Sequence, residues 1–554
     1  MKFLKSTVFA LFAAAIALMT PISGLAQGAA AETGPVARCD PYHDYACLDA
    51  YLGSSVFERW ANYYSLEMWH DAAPSDPNAP EARRQDFPPA ATTIPPMPFT
   101  EWPYGGTSSF GATRPNSVDS PLMAAISKTA VGQWMNDAHI QAYGWLNVGG
   151  NISSNSTKPG GNWPAAYLYT PNTVQLDQAV LYLERLPDTV QKDHIDWGMR
   201  LSVLYGVDYR YTTSYGLVSN QLLQKNKTNG WDFPMLYGEV FVPFIGEGLT
   251  LRFGRYISVP DIEAQLAPNN YMYTHSMTYT FDNYTNEGVI ASLMATKNMM
   301  LQVGVTAGTE AIFKHLYQKE SNPYPNDPSI GQSNPLYPGT TFRKDPGAKP
   351  SLSLCGRYNS DDSTNAVQIC ANGINSGTYG YNNLQWYGVT AYHRFNDRWH
   401  IAAELYNEHQ NNVPNGNNGT VQTIYANGGS PFSGNFMPFN SPNQAQCKDS
   451  SQLTCRAEAT GLVAYLNYSP DSRNNYSLRL EAYLDPQGQR TGTAATYKNV
   501  AVGWQYWVSP QIELRPELAY YHANKPAFNG NYNAGIAATK NSATILSADA
   551  IFHF

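Results

Sequence analysis

The sequence predicts an all-β fold: a transmembrane, antiparallel, up-and-down β-barrel of about fourteen strands (about twelve to sixteen), preceded by a mostly helical or irregular N-terminal segment. Three observations predict this fold. Long stretches alternate between apolar and polar residues, and the connections between these stretches alternate between short and long. After the N-terminus, no stretch supplies the about eighteen uninterrupted apolar residues that a helical membrane span needs.

The alternation is clearest in residues 196–211, which read DWGMRLSVLYGVDYRY. The apolar register consists of Trp197, Met199, Leu201, Val203, Tyr205, Val207, Tyr209 and Tyr211. A strand places this register on one face and the charged and glycine residues on the other. The stretch is about sixteen residues long, whereas ordinary strands have about five or six. It therefore predicts a strand between lipid and a water-filled lumen, with Arg200, Asp208 and Arg210 facing the lumen.

The composition agrees with a barrel. The chain has 39 tyrosines and 43 glycines, only 14% of its residues are charged, and its mean hydropathy is −0.39. A lipid-facing surface and a polar lumen average to such values. The net charge of −8 argues against a nucleic-acid partner, because nucleic-acid binding needs a basic surface.

Residues 1–26 predict a signal peptide, because Lys2 and Lys5 precede an apolar run and residues 24–26 form a small-x-small cleavage site. Ala31 is an alternative cleavage site. Residues 27–138 predict a periplasmic helical and proline-rich segment, with helices over 46–68 and 120–135 and an extended proline-rich linker between them. This segment is interpreted either as a leader that packs under or into the barrel mouth, or as a plug or cell-wall tether.

Residues 139–554 predict the barrel. The fourteen predicted strands span residues 140–148, 174–184, 196–211, 236–244, 249–257, 289–295, 301–307, 387–395, 399–407, 462–468, 476–484, 500–508, 512–520 and 544–554. The even number suits a single-chain bacterial barrel, and the connection 308–385 is long enough to hold a further hairpin. Short connections predict periplasmic turns and long ones outer loops, so both termini are expected in the periplasm.

The six cysteines form three local pairs, namely Cys39 with Cys47, Cys355 with Cys370, and Cys447 with Cys455. In an exported protein they predict disulfides that staple loops, although nearest-neighbour pairing is only one of about fifteen connectivities. No pair has the spacing of a zinc site.

Few residues suggest catalysis or metal binding. His275-Ser276 is the only adjacent base–nucleophile pair, and neighbouring residues of a strand point apart. Asp361-Asp362 has oxygen ligands that suit calcium, but no EF-hand spacing follows, so a solvated loop is the preferred interpretation.

Several stretches resemble a known family. Residues 205–216 (YGVDYRYTTSYG), 254–276 (GRYISVPDIEAQLAPNNYMYTHS) and 143–151 (YGWLNVGGN) are similar to the OmpL-like family of β-barrel porins, over about residues 130–554. The terminal Phe554, preceded by Phe552, is similar to the C-terminal signal by which outer-membrane barrels are recognised for assembly. The resemblance implies a porin-like channel in the outer membrane and says little about its solute.

Charged residues in inward registers are the candidate pore-lining residues. They are Arg200, Asp208, Arg210, Glu239, Arg252, Glu404, Arg479, Glu481, Arg515 and Glu517. Inward charges in a wide barrel line a polar channel and tune which ions pass, and Arg200, Arg210 and Arg252 are expected to form a positive ladder. By analogy with other porins, residues 258–287 are the candidate constriction loop, with Asp261, Glu263 and Asp282 facing the arginines. The alternative is that the charges pair with one another in a closed interior.

The predicted function is that of an outer-membrane porin, whose water-filled channel passes small hydrophilic solutes by passive diffusion. The alternative is a structural or adhesive barrel with little or no conductance. No enzymatic activity, cofactor or metal is predicted. The expected partners are outer-membrane lipid, the barrel-assembly machinery and small hydrophilic solutes, without nucleic acid, in the outer membrane of a Gram-negative-type bacterium.

Overall fold

The computed structural model describes residues 45–68, 120–165, 167–189, 191–214, 217–223, 225–257, 261–282, 285–308, 312, 350–362, 364–376, 384–426, 444–471, 473–509, 511–531 and 535–554. The predicted signal peptide, almost all of the proline-rich linker and Cys39 lie outside these residues.

One antiparallel sheet closes on itself to form the barrel, with β1 paired to both β2 and β17. Its segments are β1 (Gln141–Ser153), β2 (Val174–Arg185), β3 (Asp196–Gly206), β4 (Gly230–Asp232), β5 (Leu236–Val242), β6 (Gly248–Ile257), β7 (Thr285–Met294), β8 (Met299–Thr306), β9 (Ser351–Asn359), β10 (Asn365–Ile374), β11 (Gln385–Arg394), β12 (Trp399–Pro414), β13 (Thr454–Asp471), β14 (Asn474–Asp485), β15 (Ala495–Ser509), β16 (Ile512–Ala523) and β17 (Ser542–His553). Helices α1 (Tyr45–Leu52), α2 (Val56–Met68), α3 (Pro121–Ile126) and α4 (Ala130–Asp137) precede the barrel. The connections hold α5 (Tyr209–Thr212), α6 (Asn220–Leu223), α7 (Met277–Thr280), α8 (Gly419–Ala426) and a 3₁₀ turn at Ala267–Asn269.

The barrel has sixteen strands, because β4 and β5 are two parts of one strand. Both pair with β3, through Tyr205↔Trp231 for β4 and Arg200↔Tyr237 for β5. They are separated by residues 233–235, where Pro234 has no N–H to donate to the neighbouring strand.

The all-β barrel prediction is confirmed, and the count of about fourteen is low by one hairpin. The missing strands are β9 and β10, which lie in the connection 308–385 where a hidden hairpin was considered. Their alternation is visible in the burial of Ser351 and Ser353 against the exposure of Leu352 and Leu354. The same period of two therefore governs strands that the sequence analysis assigned to a loop.

The third strand is shorter than predicted, and the chain leaves the sheet at Gly206. Gly206 has φ +153°, and an added Cβ would lie 2.0 Å from the carbonyl oxygen of Asp177 on β2. The following residues form a turn and α5. The prediction that Asp208 and Arg210 face the lumen from β3 is therefore wrong: Asp208 lies in the turn and Arg210 in the helix.

The two faces of the wall differ as the alternation predicts. On β14, Leu480 and Leu484 are exposed on the outer surface, whereas Arg479 and Glu481 are buried on the inner one. Aromatic residues lie near both ends of the outer surface, a pattern typical of the interfacial girdles of membrane barrels. They are Trp197, Phe244, Tyr358, Phe395, Trp399, Tyr476, Trp504 and Phe552 near one end, and Trp231, Tyr387 and Tyr520 near the other.

The two ends of the barrel carry different connections. At one end lie the start of β1, the C-terminal Phe554 and the strand ends that are joined by residues 186–195, 243–247, 295–298, 360–364, 395–398, 472–473 and 510–511. At the other end lie the strand ends that are joined by residues 154–173, 207–229, 258–284, 307–350, 375–384, 415–453, 486–494 and 524–541. The first set is short and the second mostly long, the asymmetry that outer-membrane barrels show between periplasmic and outer ends.

The helix predicted over 46–68 is two helices, α1 and α2, with a break after Leu52. Gly53 has φ +89°, a left-handed conformation that commonly ends a helix at glycine. Ser55 then caps α2: its Oγ accepts from the Glu58 N–H at 3.2 Å, and the Glu58 carboxylate accepts from the Ser54 N–H at 3.1 Å. The helix predicted over 120–135 is also divided, because the Thr129 hydroxyl caps the start of α4.

The helices pack against the barrel end that carries Phe554. The Tyr64 hydroxyl donates to the carbonyl of His553, and the rings of Trp60 and Phe554 stack with centroids 6.1 Å apart. Phe554 is also bonded through its backbone to Gly144 of β1. In the described part of the chain, no helix is long and apolar enough to cross a membrane.

Two disulfides join described cysteines, Cys447–Cys455 and Cys355–Cys370. The first closes the base of the connection between β12 and β13, as a loop staple should. The second is not in a loop: Cys355 on β9 and Cys370 on β10 are direct cross-strand partners, both buried on the inner face. The loop-staple prediction is wrong for this pair because it falls in the two missed strands. Cys39 and the side chain of Cys47 lie outside the described residues, so their bond stays a prediction.

Candidate functional site

The connection between β6 and β7 folds into the barrel. Residues 261–268 and 270–282 are all buried, although a connection of this length at a barrel rim usually meets solvent. We call residues 261–282 the inserted loop. Many of its polar backbone groups bond to side chains of the barrel wall, so its position is set by the inward residues of other strands.

The inward side chains of β12, β13 and β14 hold the first set of contacts. Glu404 accepts from the backbone N–H of Ile262 at 3.1 Å. The Tyr465 hydroxyl donates to the Glu263 carboxylate at 2.7 Å. Glu481 accepts from both the N–H and the hydroxyl of Thr278, at 2.6 and 2.9 Å.

Arg479 of β14 and Glu517 of β16 hold the middle of the inserted loop at Thr274. Arg479 donates to the carbonyl of Thr274 at 2.8 Å and to its hydroxyl at 2.9 Å, and Glu517 accepts from its N–H at 2.8 Å. The two charged groups also pair at 3.2 Å. Neither side chain is exposed, so salt and water weaken this ion pair much less than they weaken an exposed one.

Arg515 of β16 and two residues of β2 complete the attachment. Arg515 donates to the carbonyls of Ala267 and Asn270, at 2.6 and 3.2 Å. On β2, Asp177 accepts from the Tyr273 hydroxyl at 2.8 Å, and Gln178 accepts from the N–H of Ala267 at 3.1 Å. The inserted loop is thus bonded to an arc of wall that runs from β12 through β16 to β2.

On the next arc the arginines lie in cross-strand ion pairs. Arg200 pairs with Glu184 of β2 at 2.7 Å, and Arg252 pairs with Glu239 of β5 at 2.6 Å. The Tyr237 ring lies between them, with its centroid 3.8 Å from the guanidinium carbon of Arg252 and 6.0 Å from that of Arg200. Arg200 and Arg252, two of the three arginines of the expected positive ladder, are therefore neutralised, because the opposite register positions on neighbouring strands carry carboxylates.

Asp208 and Arg210 lie at the barrel end opposite Phe554. Asp208 accepts from Gln178 at 2.9 Å, and burial, followed by the nearby Asp177 carboxylate, raises the pKa of Asp208 well above its usual range. Arg210 donates to the carbonyl of Lys227 at 2.7 Å and lies 4.1 Å from the ring centroid of Tyr169. The contact with Tyr169 joins the connection 154–173 to the connection 207–229 at this end.

Three carboxylates converge where the inserted loop joins the wall. One oxygen from each of Asp261, Asp282 and Glu404 lies within 4.8 Å of the other two, and all three residues are buried. Burial raises the pKa of Asp282 well above its usual range, and the Asp261 carboxylate beside it raises it further. Glu263 lies apart from this group, on Ser276 and Tyr465.

The two chemical candidates from the sequence have structural partners. His275 is stacked on Tyr167, its Nε2 lies 2.6 Å from the carbonyl of Ala264, and burial lowers its pKa to about 3. Ser276 caps α7 and donates to Glu263. Asp362 accepts from the hydroxyl of Ser360 and from the backbone N–H and hydroxyl of Thr364, and these bonds lower the pKa of Asp362 to about 2.

Several buried charged residues are absent from the sequence-based prediction, including Glu184, Asp549 and Arg255. Glu184 pairs with Arg200, Asp549 pairs with Arg515 at 2.5 Å, and Arg255 pairs with Asp232 at 2.8 Å. The first two occupy the inward registers of predicted strands, so the alternation could have found them. Arg255 had no such signal, because Gly254 interrupts the register of β6 with φ +128°.

The family described as "Putative beta-barrel porin-2, OmpL-like" matches residues 139–554. The chain belongs to this porin family. The resemblance noted in the sequence is therefore confirmed, and it covers the whole barrel. The family and fold are those of channels without enzymatic activity, and they place this porin in the bacterial outer membrane.

Solved structures with a similar fold include an anion-selective porin from Comamonas acidovorans, with 9% identity, a TM-score of 0.42, and coverage of 75% of this chain and 99% of that one. The outer membrane channel DcaP of Acinetobacter baumannii has 9% identity, a TM-score of 0.41, and coverage of 75% and 97%. OmpT of Vibrio cholerae has 12% identity, a TM-score of 0.40, and coverage of 75% and 97%. The comparison with curated proteins finds no match.

Proposed function

We propose that this porin passes small hydrophilic solutes by passive diffusion, through a channel that the inserted loop narrows. The observation that supports this most is the inserted loop in a barrel of sixteen strands. Barrels of about sixteen to eighteen strands are too wide for wall side chains to fill and leave an aqueous channel. A segment bonded inside such a barrel reduces its bore without removing its polar lining.

The pathway is proposed to run along the arc of wall away from the inserted loop. The bonds of the inserted loop go to β2 and to β12–β16, whereas β7–β11 lie on the other side of the barrel. Inward side chains of that arc are mostly polar and uncharged but only 1–4% exposed, so solute passage requires the lumen to open along them: Ser292, Gln302, Ser353, Gln368 and Thr390. Such a lining offers hydrogen bonds to hydrated solutes without binding them tightly, as conduction requires.

We further propose weak ion selectivity and periplasmic termini. Arg200 and Arg252 are each paired with a carboxylate, so the wall there carries little net charge. The short turns, Phe554 and α2 share one barrel end, which supports a periplasmic N-terminal segment and C-terminal assembly signal. Outer-membrane lipid and the barrel-assembly machinery are the corresponding partners.

A structural barrel with little conductance is the second candidate. It is supported by the burial of the lumenal charges, since Arg200 and Arg252 are each only 1% exposed. Ion pairs of this kind could belong to a closed interior rather than to a channel wall.

Liposome swelling separates the two functions. Vesicles that contain the purified, folded porin are expected to swell in iso-osmotic arabinose, more slowly in glucose, and more slowly still in sucrose, because a narrowed bore discriminates by size. Protein unfolded by heat before reconstitution is the control. Swelling no faster than the control in every sugar would contradict a channel and favour the structural barrel.

A further inference from the structure

Asp261, Asp282 and Glu404 form a compact set of oxygen ligands. Asp261 and Asp282 stand at the two ends of the inserted loop, and Glu404 stands on the inner face of β12. Their exposed fractions are 4%, 0% and 1%, and one carboxylate oxygen from each lies within 4.8 Å of the others. Three carboxylates at such distances repel one another strongly unless a positive charge or protons lie between them.

A second observation points to a ligand. Among the residues described, no donor other than the neighbouring Asp261 carboxyl lies against the carboxylate oxygens of Asp282, and no donor bonds to Oε1 of Glu404. The other oxygen of Glu404 accepts from the N–H of Ile262. Buried carboxylate oxygens almost always have a hydrogen-bond or metal partner, because their desolvation otherwise costs several kcal/mol.

The Arg490 guanidinium approaches this group from the backbone side. Arg490 donates to the carbonyls of Phe281 and Asp282, at 2.8 and 2.9 Å, and lies 3.5 Å from Glu408. Arg490 therefore binds the backbone of Asp282, whereas the side-chain carboxylate of Asp282 lies beside Asp261 and Glu404.

We propose that Asp261, Asp282 and Glu404 bind one Ca²⁺ ion, which fastens both ends of the inserted loop to β12. An oxygen-only set of carboxylates suits a hard divalent cation. Two oxygens on one ion can lie no farther apart than twice the metal–oxygen distance, about 4.6–5.2 Å for Ca²⁺ and about 4.0–4.2 Å for Mg²⁺. The upper limit of 4.8 Å on these oxygen–oxygen distances lies inside the Ca²⁺ range and above the Mg²⁺ range, so Ca²⁺ is the ion proposed.

The ion would act at the neck of the inserted loop. Because Asp261 and Asp282 come from its two ends, a shared ion closes the loop and restricts its motion relative to the wall. The proposal concerns binding and does not depend on whether the barrel conducts.

Calcium titration of the full-length folded porin tests the proposal. The protein is purified in detergent without lipopolysaccharide, freed of metals with EDTA and dialysed, and CaCl₂ alone is added in a calorimeter. We expect one saturable site in the parent protein. Asp282→Asn and Glu404→Gln should each weaken it by about tenfold or more, because ligand charge and number set the affinity. Asp362→Asn, in an exposed turn, is the matched control and should bind as the parent does.

Several results would overturn the proposal. The first is the absence of saturable Ca²⁺ binding in the parent at neutral pH, which would indicate that the three carboxyl groups share protons instead of a metal ion. The second is unchanged Ca²⁺ affinity in both Asp282→Asn and Glu404→Gln. Equal weakening in Asp362→Asn, or Mg²⁺ binding as tightly as Ca²⁺, would also overturn it. If either variant fails to fold, the thermal unfolding midpoint of the parent decides: it should rise with CaCl₂ and fall back with EDTA, and no response to either would contradict the site.

Discussion

Replacing Arg479 with alanine is expected to lower the free energy of unfolding by about 3–5 kcal/mol, because removing one member of a buried ion pair leaves the other charge uncompensated. Arg479 and Glu517 are both unexposed, and Arg479 also donates twice to Thr274 of the inserted loop. From the sequence alone this substitution is expected to leave folding nearly intact, since a lumenal arginine is assumed to meet water. The contacts with the inserted loop reverse that expectation.

Urea titration in detergent, followed by heat-modifiable gel mobility, measures the loss. Arg479→Lys keeps the charge but not the planar fork, so an intermediate loss is expected. Arg456→Ala is the control, because Arg456 is 53% exposed and 3.7 Å from Glu458, and such surface pairs contribute about 0–1 kcal/mol. Equal stability of the Arg479 and Arg456 variants would show that the inserted loop is not held in this way.

Leu480→Arg is expected to cost about 2–4 kcal/mol, the cost of placing an arginine at the bilayer midplane on the lipid face. Leu480 lies in the middle of β14 and is 49% exposed on the outer surface. Its strand neighbours Arg479 and Glu481 face the lumen, so the assignment of faces is tested within one strand.

Reversible unfolding in lipid vesicles measures the cost, with Tyr476→Arg as the matched control. Tyr476 lies on the same face near the strand end, where an arginine costs only about 0–1 kcal/mol. If the two arginine substitutions cost the same, then β14 crosses the bilayer at a different depth or with the opposite face outward.

Much of the barrel follows from local pattern. A period of two assigns faces correctly on β14, where Arg479 and Glu481 are inward, and on β17, where Leu546 and Phe552 are outward. Lipid on one side and polar contacts on the other impose that period on each strand separately, so no tertiary information is needed.

The sequence-based predictions fail where backbone geometry, or contacts between residues distant in sequence, determine the structure. The sequence alternation continues past Gly206 through Asp208 and Arg210, yet the chain leaves the sheet at this glycine, where φ is +153° and a side chain would meet the carbonyl of Asp177. The pairing of Arg200 with Glu184 depends on register between strands, which a single strand does not contain. Likewise, the convergence of Asp261, Asp282 and Glu404 requires the inserted loop to meet β12. Such contacts are non-local and have no sequence period.

Single-channel recording in planar bilayers tests the central claim most directly. The porin is compared with a variant in which residues 263–280 are replaced by a short Gly-Ser linker, and both are first shown to fold by heat-modifiable gel mobility. We predict discrete conductance steps from the parent and larger steps from the variant, because the inserted loop occupies part of the lumen. Folded parent protein that gives no steps, or steps of equal size in the two proteins, would contradict a channel narrowed by the inserted loop.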